Sequence, residues 1–229
     1  MGKLIVIEGL DGSGKDTQSK RLYEDLLSQG RKAHIISFPN YSSMASGPVK
    51  MYLDGEFGDD PDSLNAYAAT AFFAVDRVAS YNKDWKNFYN DESEEHIIIA
   101  NRYTTSNAIH QLSKIERDEW DEYLTWLYEF EFEKMKLPKP DLVIYLEVKP
   151  EISLECVRKR SEETGQKLDI HESDAEYLNR CYKAALYATD KLGWERIQCC
   201  EGDELLSIEE IQAKIQEKVT MFLDVADVS

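Results

Sequence analysis

Between residues 9 and 18 the chain reads GLDGSGKDTQ, and these residue types at this spacing fit one task, the gripping of a phosphate chain. Gly9 and Gly14, with four residues between them and Lys15 directly after, satisfy the phosphate-loop pattern. Such a loop turns the main-chain N–H groups of Gly9, Leu10, Asp11, Gly12, Ser13 and Gly14 toward one anion, and Lys15 adds a full charge. The pattern next asks for a hydroxyl to hold a metal ion. Here Asp16 stands at that place, with Thr17 after it. A carboxylate there has two readings: it suits the positive end of a helix dipole, and its oxygens suit magnesium better than a hydroxyl does.

The loop works only if a strand delivers it and a helix leaves it. The run KLIVIE at 3–8 is short and apolar, as a buried parallel strand is. Residues 16–29 have helical spacing, with Gly30 as a stop. The run at 32–38 is a second strand, so the chain opens with a βαβ unit. Further strands are expected at 96–100, 140–146 and 194–198. Helices are expected from Pro61 to about Asn82, over 116–136, from Pro150, over 173–192, and over 207–223, the last with a Ser-x-x-Glu start. This alternation predicts a parallel sheet covered on both faces, with ligands beyond the carboxyl ends of the strands. A glycine-rich turn that binds nothing is the competing reading; it leaves unexplained a lysine at a helix start, where the dipole disfavours cations.

The third strand ends in Asn101 and Arg102, where nucleotide enzymes of this build often carry an acid. The strand-end acid is an amide and the loop hydroxyl is an acid, so the carboxylate is expected to have changed places across a magnesium site. In that reading Asp16 holds the ion directly or through water, and Asn101 is its neutral partner.

Composition narrows the partners. The chain has 229 residues, 44 acidic against 27 basic, for a net charge of −17. A surface this acidic repels a nucleic-acid backbone, so nucleic acid is excluded as a general partner. No linker divides the sequence, and one domain over residues 1–229 is expected. No apolar run approaches the length of a membrane span. The N-terminus enters a strand at once, so no leader is expected. Cys156, Cys181, Cys199 and Cys200 form no C-x-x-C pair or zinc spacing, which suits reduced thiols in a cytoplasmic protein.

Four segments in order carry a resemblance: IEGLDGSGKDTQ at 7–18, FPNY at 38–41, FAVDR at 73–77 and NRYTTSN at 101–107. With LDIHE at 168–172 and Tyr177-Leu178, they resemble the thymidylate kinases from Lys3 to about Trp194. The resemblance implies a three-layer α/β phosphate-loop kinase fold, with a five-stranded parallel sheet in the order 2-3-1-4-5 and a lid at about 158–172. It implies transfer of the ATP γ-phosphoryl group to dTMP with Mg2+, and a homodimer. Residue by residue, Asp11 resembles the carboxylate reaching the acceptor's sugar and phosphate region, and Arg102 the arginine that grips the acceptor phosphate. Phe73 resembles the ring that stacks on thymine, Arg77 the donor to a thymine carbonyl, and Asn107 the residue at the N3 edge. Phe38, Pro39, Tyr41 and Ser106 fall in the acceptor-binding motifs. His110 stands where a tyrosine often screens against ribose.

Since no arginine lies between Gly9 and Lys15, the chain is similar to the type whose catalytic arginine comes from the lid. Arg158, Lys159, Arg160 and Lys167 are available there, with Arg158 and Arg160 as catalytic candidates; an ordinary basic helix end is the alternative.

Helical spacing adds two expectations. Leu64, Tyr67, Ala68, Ala71, Phe72, Val75, Val78 and Ala79 form one stripe, read as the core face. Phe73 and Arg77 then point the other way, on a side kept small by Ala66, Ala69 and Thr70. Trp120, Trp126, Tyr128, Phe130 and Phe132 are too many for one buried helix face, and part of that surface is read as the dimer interface. Two other functions stay open: a different nucleoside or nucleotide kinase, against which Arg102 speaks for a monophosphate acceptor, and a nucleotide-binding relative that has lost catalysis.

Overall fold

The apolar runs become a parallel sheet because their alternating side chains have helices to meet on both faces. The structure is a computed structural model that describes residues 2–165, 170–171 and 174–226. Lys167, Leu168, Asp169, Glu172 and Ser173, named above for the lid and the start of a helix, lie outside the described residues.

Strand β1 (Lys3–Gly9) leads through the glycine loop into helix α1 (Lys15–Ser28) and strand β2 (Lys32–Ser37). Helices α2 (Gly47–Leu53), α3 (Ala66–Ser80) and α4 (Lys86–Tyr89) come before strand β3 (His96–Asn101). Helices α5 (Thr104–His110) and α6 (Trp120–Tyr128) separate it from strand β4 (Leu142–Glu147). Helices α7 (Pro150–Thr164) and α8 (Ala175–Leu192) follow, then strand β5 (Glu195–Gln198) and a small hairpin of β6 (Cys200–Glu201) and β7 (Glu204–Leu205). Helix α9 (Ile208–Ala226) closes the chain.

The main sheet has the order β2-β3-β1-β4-β5, all pairs parallel, as expected. Period-two alternation splits β1 between two cores. Leu4 and Val6 face the side of α5, α6 and α8. Ile5 and Ile7 face Leu22 and Leu26 of α1 and Ile211, Ile215 and Val219 of α9. All four strand residues are fully buried, each worth about 1.5–3 kcal/mol of transfer free energy.

Several boundaries differ from the sequence reading, each for a local reason. The long helix from Pro61 is broken: Pro61–Ser63 is a single 3-10 turn, Leu64 is extended, and Asn65 caps α3 by accepting from the Ala68 N–H at 2.9 Å. The helix expected over 116–136 is regular only over α6 and continues as a π-helical segment, Glu129–Lys134. The Ser207–Glu210 capping box forms as read, with the Ser207 N–H donating to Glu210 Oε2 at 2.9 Å and the Glu210 N–H to Ser207 Oγ at 3.2 Å.

The faces of α3 are reversed from expectation. Tyr67 and Val75, assigned to the core, are 43% and 47% exposed, whereas Ala66, Ala69, Thr70, Ala74 and Arg77 are buried. Small residues let the neighbouring elements approach α3 closely, and a buried ion pair fills the space a larger apolar side chain would take.

Candidate active site

The site begins at the carboxyl edge of β1. Gly12 has φ 84°, and a Cβ there would sit 2.4 Å from the Ser153 carbonyl oxygen, so only glycine fits the turn. Gly14 is left-handed at the N-cap of α1 and no side chain caps that helix, which leaves its first N–H groups for an anion. Lys15 donates to the Leu10 carbonyl at 3.0 Å and to Asp11 Oδ1 at 3.2 Å. Gly9, Leu10 and Ser13 form the inner turn behind the cavity, whereas Asp11, Gly12, Gly14, Lys15, Asp16 and Thr17 line it. The cavity has a volume of about 500 Å³.

Arg102 sits where β3 hands over to α5. It has a φ of 66°, a left-handed conformation that costs a non-glycine residue about 1–3 kcal/mol and tends to occur where a side chain is aimed for function. Its N–H donates to the Ile7 carbonyl at 3.2 Å. Its guanidinium pairs with Asp11, donates to Ser106 Oγ at 3.3 Å and meets His110 Nε2 at 3.1 Å. Behind it lies Glu8, fully buried, accepting from Thr105 Oγ1 at 2.6 Å and Ser106 Oγ at 2.8 Å.

Electrostatics follow from this packing. Burial alone would raise the Asp11 carboxyl, but Arg102 and Lys15 hold it well below the usual carboxylate range. Burial and the neighbouring Arg102 push Lys15 down. Arg102 is raised despite its burial, because Asp11 and Glu8 flank it. His110 is held far below its usual range by burial and by Arg102, and it is stacked on His171 with ring centroids 5.3 Å apart. Burial, then Lys114, lowers His171 to about 3. Both imidazoles are therefore neutral at pH 7. Because an arginine only donates, His110 Nε2 is the acceptor and its proton is on Nδ1.

The other end of the cavity is built by α3 and α5. Phe73 lines it, edge-on to Tyr52 at 6.4 Å, with Arg77 one helical turn along. Asn107 lines the same end. Arg77 is wholly buried and makes a two-pronged ion pair with Glu131, from Nε at 2.8 Å and Nη2 at 2.5 Å. Phe38, Pro39 and Tyr41 form one wall, with Tyr41 exposed near its edge.

Asp16 Oδ1 accepts from Asn101 Nδ2 at 3.3 Å, so the two residues suspected of exchanging roles are neighbours. Asn101 Nδ2 also donates to Ser37 at 3.2 Å, while its Oδ1 is buried without a partner among the described residues. With the Asn101 amide turned over, its oxygen would join the Asp16 carboxylate in an all-oxygen pair that fits a hard dication. Of the lid arginines, Arg160 lines the cavity; Arg158 is exposed and does not.

Three residues here were not singled out by the sequence reading. Glu8 had a signal, an acid at the end of an apolar strand just before the loop. Glu131 was hidden in the run EFEFEK, which reads as an aromatic surface. Gln111 lines the cavity fully buried, with neither amide atom bonded among the described residues, and carried no signal.

The thymidylate kinase family model matches residues 7–215. The chain is 32% identical over 189 residues to the thymidylate kinase of Mycobacterium tuberculosis strain H37Rv, covering 81% of this chain and 84% of that protein. It is 27% identical over 219 residues to the thymidylate kinase of Schizosaccharomyces pombe, covering 96% and 92%. A solved thymidylate kinase from Candida albicans shares the fold, with TM-score 0.66, 22% identity and coverage of 96% and 92%.

Proposed function

The chain belongs to the thymidylate kinase family, and from that premise we propose how its residues share the transfer of the ATP γ-phosphoryl group to dTMP. Phosphoryl transfer asks a protein mainly for alignment and charge neutralisation. Asp11, Gly12 and Gly14 of the loop, with Lys15, hold the phosphates of ATP at the start of α1, whereas the Gly9 and Ser13 N–H groups are already given to Glu8 Oε1 and the Leu10 carbonyl. Arg102, aimed by Asp11, Ser106 and His110, holds the acceptor phosphate. Phe73 stacks on the thymine ring, and Arg77 and Asn107 meet its edge. Arg160 neutralises charge on the moving group when the lid segment covers ATP.

The observation that carries this reading is that Lys15 and Arg102 share one carboxylate, Asp11, at one end of a single cavity whose other end holds Phe73, Arg77 and Asn107. Two cations from distant parts of the sequence, brought to one carboxylate at one end of a cavity, suit two phosphorylated ligands placed end to end there. Asp16 and Asn101 are the residues that would hold magnesium, which when bound offsets the charge of the transferring phosphates.

A second copy of the chain is the partner. Tyr67 and Val75 on α3 expose an apolar stripe, and Tyr67 stacks edge-on with Trp126 at 4.6 Å, which in turn stacks on Phe130 at 5.1 Å. Exposed apolar side chains continuous with an aromatic cluster suit an isologous contact. No helix of the described residues is long and apolar enough to cross a membrane, and the net charge of −17 speaks against nucleic acid as a general partner.

The test is an acceptor screen with ATP and magnesium across dTMP, dUMP, dCMP, UMP and thymidine, with product identified by phosphorus NMR. The expected result is dTDP from dTMP and no phosphorylation of thymidine. Phosphorylation of thymidine in preference to dTMP would overturn the acceptor-phosphate role of Arg102.

A further inference from the structure

Glu131 is fully buried on the π-helical segment 129–134, and its carboxylate is saturated. Oε1 accepts from Arg77 Nη2 at 2.5 Å and Asn107 Nδ2 at 3.0 Å. Oε2 accepts from Arg77 Nε at 2.8 Å and Thr104 Oγ1 at 2.6 Å. Four donors fill the four lone-pair positions of an ionised carboxylate. Glu131 has no capacity left for a ligand, so whatever it does for the reaction it does through Arg77 and Asn107.

What it does follows from the atoms it leaves over. An acceptor-only carboxylate admits only the NH2 end of the Asn107 amide, since the oxygen end would be repelled. The amide plane is therefore fixed with Oδ1 as its remaining polar atom. Arg77 donates from Nε and Nη2 to Glu131 and from Nη1 to the Tyr103 carbonyl at 3.4 Å, which leaves one N–H on each of Nη1 and Nη2, along one edge of the guanidinium. Both residues line the cavity beside the Phe73 ring. The flat end of the cavity thus offers one acceptor oxygen and one donor edge of a guanidinium, in fixed positions.

We propose that Glu131 is the positioning residue that sets base selection, by locking Asn107 with its oxygen, and Arg77 with one donor edge, toward the acceptor's pyrimidine. This rests on the acceptor-site reading given above. A pyrimidine with an N3–H and a C4 carbonyl matches the pattern. A 4-aminopyrimidine inverts it: its N3 lone pair meets Oδ1 and its amino group meets the guanidinium. Both mismatches fall on buried groups, Arg77 and Asn107, the circumstance in which one wrong polar pair costs most. The device does not separate thymine from uracil, which share this edge.

The experiment is an equilibrium titration of the full-length protein with dTMP and with dCMP, for wild type, Glu131→Gln and Glu131→Asp. The readout is the ratio of the two dissociation constants, which a general loss of packing leaves alone because it weakens both ligands together. Glu131→Gln replaces one of the two acceptor oxygens by an NH2 group and so removes the acceptor-only lock on Asn107 and Arg77, and the ratio is expected to fall about tenfold or more. Glu131→Asp still offers only acceptors, and is expected to bind both ligands more weakly while keeping the wild-type direction of preference. A folded Glu131→Gln protein with the wild-type ratio overturns the proposal.

If Glu131→Gln does not fold, the side-chain amide protons of Asn107 in wild type decide by NMR. Slow exchange with water, with and without dTMP, is expected; rapid exchange overturns the assignment. Wild type with no preference for dTMP over dCMP, but with a protected Asn107 amide, would instead remove the acceptor-site reading and leave the Glu131–Asn107 contact standing.

Discussion

Replacing Asp16 with alanine asks whether the carboxylate at the start of α1 has taken over the metal side of the site. One carboxylate oxygen faces Asn101 at 3.3 Å and the other pairs with Lys20 at 2.7 Å. The side chain is 64% exposed, so its attraction for a cation is screened almost as in water. Two unit charges about 4 Å apart in that medium gain about 1 kcal/mol, a dication about twice that, and about 2 kcal/mol is roughly 30-fold in affinity. The assay is calorimetric titration of ATP with excess magnesium and again with EDTA. The difference isolates the metal-dependent part of binding. Asp16→Ala is expected to lose about 30-fold of that difference. Its ATP affinity in EDTA should be unchanged or better, because an acid beside a polyanion has been removed. Adding Asn101→Asp returns a carboxylate to the strand end and should restore much of the loss. An Asp16→Ala protein whose magnesium-dependent gain stays within about twofold of wild type, well inside one factor of ten, refutes the exchange of roles.

Arg160→Ala is expected to lower kcat about 10³-fold with little change in the KM for ATP, while Arg158→Ala, outside the cavity, stays near wild type; equal effects in steady-state kinetics would reject the distinction. His110 and His171 have folded-state pKa values below the unfolded value, so the unfolded chain binds protons first as pH falls. Their effect on stability is absent well above pH 6.5. It becomes a loss of about 1 kcal/mol per histidine between pH 6.5 and 5.5, and about 1.4 per further unit until the folded-state value is reached. A falling Tm over this range, shallower in His171→Gln, checks it. Val75→Glu should convert a dimer to a monomer in sedimentation velocity, with the isolated chain still folded by circular dichroism.

Strand positions were legible because buried parallel strands are apolar on both faces, and β1, β3 and β4 leave no other reading. The phosphate loop was legible because only glycine and lysine at fixed spacing make such a turn. Helix faces were harder. The apolar stripe on α3 is the larger one, and hydrophobicity alone assigns it inward. What reversed it is Glu131, 54 positions away, whose charge must be met by Arg77 and so draws the other face of α3 into the interior. Periodicity within one helix contains no information about a partner in another. The same holds for Gln111 and for the stacking of His110 on His171, which depends on α5 and the segment before α8 meeting.

The acidity of the chain looks at first like an obstacle to binding two polyanions, but the arrangement around Asp11 turns it to use. Glu8, Asp11, Lys15 and Arg102 balance two negative charges against two positive ones in a buried cluster. Without ligand, neither cation is left unpaired in low dielectric, which would be the costly state. An incoming phosphate competes with Asp11 for the same donors, so the guanidinium and the ammonium exchange one anion for another without crossing the cavity. Arg102 is already aimed by Ser106, by His110 and by its own left-handed backbone, and little side-chain freedom remains to be lost on binding. On this reasoning Asp11→Asn should have two opposed effects. It frees Arg102 for a phosphate and tightens binding of the acceptor, while it loosens the aim of Arg102 and lowers kcat. Tighter dTMP binding by titration together with slower turnover is the expected signature; loss of both would mean that Asp11 only holds the loop together.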